Sequence, residues 1–141
     1  MSQYITVDEL KTHAYDEELK QIIRDDESIA LASIDMAIEY AESKLSKFYN
    51  TDIIFAKEGE ERSKLLVGFI KDIAMWYLIG LANMSIDYDD KKFRYTEASN
   101  WFKAVFKNKD MKLSSKDFPK WETVKSTSFS YKSNTKRQNY Y

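Results

Sequence analysis

A chain of 141 residues has room for one domain with a sizeable core and is too short for two ordinary ones. The absence of cysteine excludes disulfides and thiolate metal sites, and a single histidine nearly excludes zinc. At 43% hydrophobic and 32% charged the composition is globular, and three Gly with one Pro leave little material for a fold of many tight turns, which favours helices.

In chain order, Thr6-Val-Asp-Glu9 fits a capping box, so a short helix to about His13 is expected. Asp16 is placed to cap a second, over Glu17–Arg24, with Leu19, Ile22 and Ile23 inward. Both are too short to be stable alone and must pack on something longer. The acidic cluster Asp25-Asp26-Glu27 starts that longer helix, which runs to about Tyr49. Its apolar seam is Leu31, Ile34, Ile38, Ala41, Leu45 and Phe48, spaced for one helical face. Ile53-Ile54-Phe55 follows as a short apolar run, expected either to dock in extended form on the core or to face a neighbour.

The central helix is expected to begin near Glu60 and to run to Met84. Leu66, Phe69, Ile73, Trp76 and Gly80 form one stripe, and Val67, Ile70, Ala74, Tyr77 and Leu81 form a second beside it. A helix apolar nearly all round needs cover on most sides, from its own domain or from other copies. Phe69, Ile73, Trp76 and Tyr77 are therefore the candidate core and assembly residues. Gly68 and Gly80 each cost such a helix about 1 kcal/mol relative to Ala, and the close approach of another backbone is the expected compensation. Asp87 or Asp89 caps a last helix to about Lys107, with Tyr95, Ala98, Phe102 and Val105 inward and Trp101 and Phe106 widening the stripe.

These elements predict an all-α fold: an antiparallel bundle of three long helices with two short N-terminal helices, followed by an extended C-terminal arm. The bundle domain is drawn over residues 1–108 and the arm over residues 109–141. The charge divides at the same place. Residues 1–108 carry 14 Lys/Arg against 20 Asp/Glu, and residues 109–141 carry 8 against 3. An acidic body with a basic tail points to two different surfaces, and makes the body a poor candidate for gripping DNA phosphates. The arm is too aromatic for a plain solvated linker, so Phe118, Trp121, Phe129, Tyr131, Lys132, Tyr140 and Tyr141 are read as partner-binding residues. For Trp121, packing on the outside of the body is an equal alternative.

No catalytic constellation is visible, and the chain is read as a non-enzyme without cofactor or metal. His13 has no partner motif and reads as a helix-end or surface residue. The sequence at Asp87-Tyr-Asp89-Asp90 suggests calcium, but an EF-hand loop starting at Asp87 needs Gly and Glu where the chain has Lys92 and Ala98. The N-terminus lacks the basic and apolar blocks of a signal peptide. The apolar run Ile73–Ala82 is about ten residues where a membrane span needs roughly 20. A soluble protein, inside a cell or in something assembled there, is the expectation.

Three stretches, YITVDELKTHAYDEELKQII, AIEYAESKLSKFY and LLVGFIKDIAMWYLIGLAN, together resemble the structural proteins of Mu-like prophages related to phage head–tail connector (adaptor or head-completion) proteins. The resemblance covers about residues 3–108 and rests on Tyr4, Ile5, Thr6, Glu9 and Leu10, on Ala41, Glu42, Leu45 and Tyr49, and on Lys71, Asp72, Ala74 and Trp76. It implies a non-enzymatic, all-helical virion subunit. Such a subunit assembles as a homo-oligomeric ring, a dodecamer, which joins the capsid portal protein to a tail-completion or stopper protein. DNA passes through the ring without sequence-specific binding, and no membrane is involved. The alternative function is a small helical nucleic-acid-binding module acting through its basic, aromatic tail.

Overall fold

A computed structural model describes residues 4–13, 17–82 and 89–121. Of these, 73% are helical and none lies in a strand, so the fold class is all-α. The helices are α1 (Val7–His13), α2 (Glu17–Asp25), α3 (Glu27–Leu45), the single turn α4 (Thr51–Ile54), α5 (Lys64–Ala82) and α6 (Asp89–Lys107).

Local chemistry explains where they start. The Glu9 amide donates to the Thr6 hydroxyl at 3.2 Å and the Thr6 amide donates back to the Glu9 carboxylate at 3.0 Å, the reciprocal pair of a capping box. Asp26 caps α3 by accepting from the Ser28 amide at 3.1 Å. The central helix starts later than the sequence suggests. Gly59–Glu61 forms a 3-10 turn, with Gly59 at a φ of 56°, and Ser63 opens α5 by accepting from the Leu66 amide at 3.3 Å.

Ile53-Ile54-Phe55 is helical at its start rather than extended, because the Asn50 side chain accepts from the Ile53 amide at 3.2 Å and nucleates α4. Ile54 is then buried, Phe55 meets the Tyr4 ring edge-on at 4.9 Å, and Ile53 faces outward.

α5 packs against both α3 and α6, which also meet each other, while α1 and α2 lie on α3 and α1 also reaches α5. Along α6, Phe69 of α5 meets Trp101 and Phe102, and eight residues further on Tyr77 meets Tyr95, so these two helices run in opposite senses. Tyr40 meets Ser99 and Lys44 lies over Phe106, so α3 and α6 end together.

The buried stripe of α3 is Ala30, Ile34, Ala37, Ala41 and Leu45, with Ser33 beside it, whereas Leu31 faces outward. The seam is turned toward the alanines because their small side chains admit the bulky face of α5. On that helix Leu66, Val67, Ile70, Ile73, Ala74, Met75, Leu78 and Ile79 are buried. By length and composition Lys64–Ala82 is apolar enough to cross a membrane, which the count over Ile73–Ala82 understated. Packing against α3 and α6 uses part of that apolarity, while Leu65 and Leu81 remain exposed.

Among the described residues, Gly68 and Gly80 do not mark a close backbone approach. A Cβ built on either meets nothing within 4 Å.

Candidate functional site

The sequence proposed two sets of residues, and the structure places them differently. Of the central set, Ile73 is fully buried, while Phe69, Trp76 and Tyr77 are half-buried on the side of α5 that faces α6. Trp76 stacks on Tyr95 with centroids 5.5 Å apart, and Phe69 lies 5.1 Å from Trp101. These rings form the margin of the core rather than its centre.

Of the arm set, Phe118 is 3% exposed, wedged between Tyr49 at 6.1 Å and Trp101 at 5.8 Å. Residues Pro119 to Trp121 are tied down after it. Asn50 donates its amide to the Pro119 carbonyl at 2.7 Å, Tyr49 and Lys120 form an isolated antiparallel bridge, and the Trp121 indole donates to the Ser46 carbonyl at 2.6 Å. Trp121 remains 43% exposed. The chain after α6 therefore returns to cap the end of α3, and Phe118, read from sequence as a partner contact, is a core residue of its own chain. The physical reason is the gap beside Trp101 and Tyr49, which one more ring fills. Phe129, Tyr131, Lys132, Tyr140 and Tyr141 lie outside the described residues, as do Asp16 and Asp87.

A polar junction that the sequence did not announce holds α1. Arg62, in the turn before α5, donates Nε to the Gly59 carbonyl at 2.9 Å and Nη1 to the Tyr4 carbonyl at 2.7 Å. Nη1 and Nη2 also grip the two oxygens of Glu9 as a fork. The hydrogen bonds from Arg62 hold the Glu9 carboxyl down at about 2, against the opposing effect of partial burial. Beside it, burial pushes the Tyr4 phenol up to about 12, and its hydroxyl has no hydrogen-bond partner among the described residues.

His13, at the end of α1 as its sequence context suggests, meets Asp72 of α5 at 2.6 Å, and Arg94 of α6 approaches the same carboxylate at 3.8 Å. One acidic side chain thus joins three helices that are far apart in sequence. Between the two clusters lies an open cleft of about 260 Å³, whose lining includes Glu9, His13, Arg62, Lys64, Gly68 and Lys71.

Chemically this arrangement orients and clamps. The guanidinium nitrogens are committed to carbonyls and to Glu9, and among the described residues no group of three or more His, Cys, Asp or Glu is placed to hold a metal ion. The missed signal was available in part: Glu9 and Asp72 are among the residues that carry the resemblance, but their partners lie 53 and 59 positions away.

Comparison of the chain with protein families, curated proteins and solved structures finds no match.

Proposed function

We propose that the chain is a subunit of a phage head–tail connector: an adaptor that assembles as a ring, binds the capsid portal protein on one side and a tail-completion or stopper protein on the other, and surrounds the channel through which DNA passes. In this reading the subunit is an antiparallel bundle of three long helices with two short helices at its N-terminus. It has no enzymatic activity, needs no cofactor and touches no membrane. It resides in the virion at the head–tail interface.

The observation that carries the reading is the apolar surface left over once the core is made. Phe93 on α6 is 64% exposed, and Leu65 and Leu81 at the two ends of α5 are 49% and 46% exposed. Large apolar side chains outside the core of a subunit suit burial between subunits. The resemblance supports it as well, since its positions fall at the start of α1, on and just after α3, and on α5. The arm contributes attachment from residue 122 onward, where multivalency around a ring turns a weak contact into a strong one.

The test is to add the purified chain to portal-bearing capsids that lack tails and to measure its stoichiometry on them. Saturable binding at several copies per portal vertex is expected. A chain that stays monomeric and leaves such capsids unbound contradicts the proposal.

A further inference from the structure

The net charge conceals a division within the body itself. Residues 43–57 and 100–121 carry 9 Lys, no Arg and only 3 Asp, while the remaining described residues carry 9 Lys or Arg against 17 Asp or Glu. The lysines come together because α3 and α6 end side by side. Lys44 and Lys47 both lie over the Phe106 ring, at 4.9 and 4.4 Å from its centroid. Lys103 shares the stripe of α6 defined by Ser99 and Phe106, and Lys107 follows directly on that ring. Lys120 reaches the Lys109 carbonyl at 3.4 Å, and the exposed face of Trp121 adjoins the end of α3.

We infer that this end of the domain, with Lys44, Lys47, Lys103, Lys107, Lys120 and Trp121 at its centre, is a contact surface for the phosphate backbone of a nucleic acid, bound without regard to sequence. The helix macrodipole favours a lysine in the last turn of α3 and α6, but not those on the segment that follows. Three features select a polyanion over a protein partner. Packed protein interfaces are depleted in Lys and enriched in Arg, whereas the cations of this surface are all lysine. Lysines are hydrated point charges that track phosphates, and the absence of arginine removes the fork that reads guanine edges. The sequence beyond Trp121 adds 3 Lys and 1 Arg against 1 Glu, so the positive charge continues along the chain. Trp121, beside the lysines, offers a ring on which a base or sugar can lie.

The inference is independent of the connector reading, because it concerns phosphate contact and not the portal. The experiment uses the full-length chain, a fluorescent DNA duplex of about 20 base pairs with arbitrary sequence, and a salt titration. It compares the chain with the variant Lys47→Glu/Lys103→Glu/Lys107→Glu, whose three positions are solvent-exposed, with thermal unfolding confirming that the variant folds. Binding that weakens steeply with salt is expected. In the variant it should fall at least about tenfold, with the log–log salt slope reduced by about 2 to 3. Absence of binding at low salt overturns the inference, as does a variant with unchanged affinity and slope, which would leave binding to residues 122–141 alone. Loss of self-association in the variant without loss of DNA binding also overturns it, and would make the surface a contact for the acidic side of a second copy.

Discussion

The seam between α5 and α6 and the junction that holds α1 are built from opposite materials. The seam is ring against ring, with Phe69, Trp76 and Tyr77 meeting Tyr95, Trp101 and Phe102. Its stabilisation is apolar burial, which acid does not remove. The junction is polar, with Glu9 gripped by Arg62, and with His13 and Arg94 meeting Asp72. The short α1 is held by Val7 and Leu10 in the core and also by the Glu9–Arg62 fork, which protonation of Glu9 removes, while the long helices stay together without such a pair. Acid should therefore loosen the N-terminal piece before the rest of the domain.

The largest expected effect lies in the seam. Phe102 is fully buried and contacts the rings of Tyr40, Phe69 and Trp101, so Phe102→Ala should cost about 3–5 kcal/mol in chemical unfolding. A loss below about 1 kcal/mol would mean that the seam does not hold α6. Trp76→Ala should cost less, about 1–2 kcal/mol, because its ring is half-buried and stacked on Tyr95 at the margin.

Next comes the junction. Arg62→Met leaves the Tyr4 carbonyl and the Oε2 of Glu9 without the Arg62 donor and should cost about 1–3 kcal/mol. A double-mutant cycle with Glu9→Gln should recover a coupling of about 1 kcal/mol or more, and additivity would show that the fork contributes nothing. The pH dependence follows from the same pair. With its folded-state value near 2 against an ordinary 4.5, Glu9 binds fewer protons folded than unfolded between those values. Its contribution is present above pH 4.5 and is lost as the pH falls toward 2. Allowing for its partial exposure, the amount is about 1–2 kcal/mol. Acid titration of Glu9→Gln should be flatter by that amount over this window.

The smallest effects are gains. Gly68→Ala and Gly80→Ala should each raise stability by about 0.5–1 kcal/mol, because α5 has room for both methyl groups. A Gly80→Ala chain that is more stable yet fails to occupy the portal would place a neighbouring subunit against that face of α5.

Much of this was legible in the sequence, and the residues show why the rest was not. The Thr6–Glu9 capping box, the start of α3 at Asp26 and the span of α6 are local, set by groups within a turn of one another, and were read correctly. On α3 the expected seam shares Ile34, Ala41 and Leu45 with the buried stripe but leaves out Ala30 and Ala37, because periodicity weighs large side chains and favours Leu31. Tertiary contacts chose otherwise. The partners of His13 and Glu9 were invisible because nothing local distinguishes Asp72 or Arg62 from surface charges. Phe118 was assigned to the arm because the helical pattern ends at Lys107, although a core is free to recruit a ring from irregular chain.

That last placement decides where the folded body ends and the proposed attachment surface begins, and Phe118→Ala tests it most directly when thermal unfolding and binding to portal-bearing capsids are measured together. With its ring between Tyr49 and Trp101, the substitution should cost about 3 kcal/mol or more and lower Tm by about 10 °C. An unchanged Tm with binding lost would contradict the account and return Phe118 to the partner-binding arm.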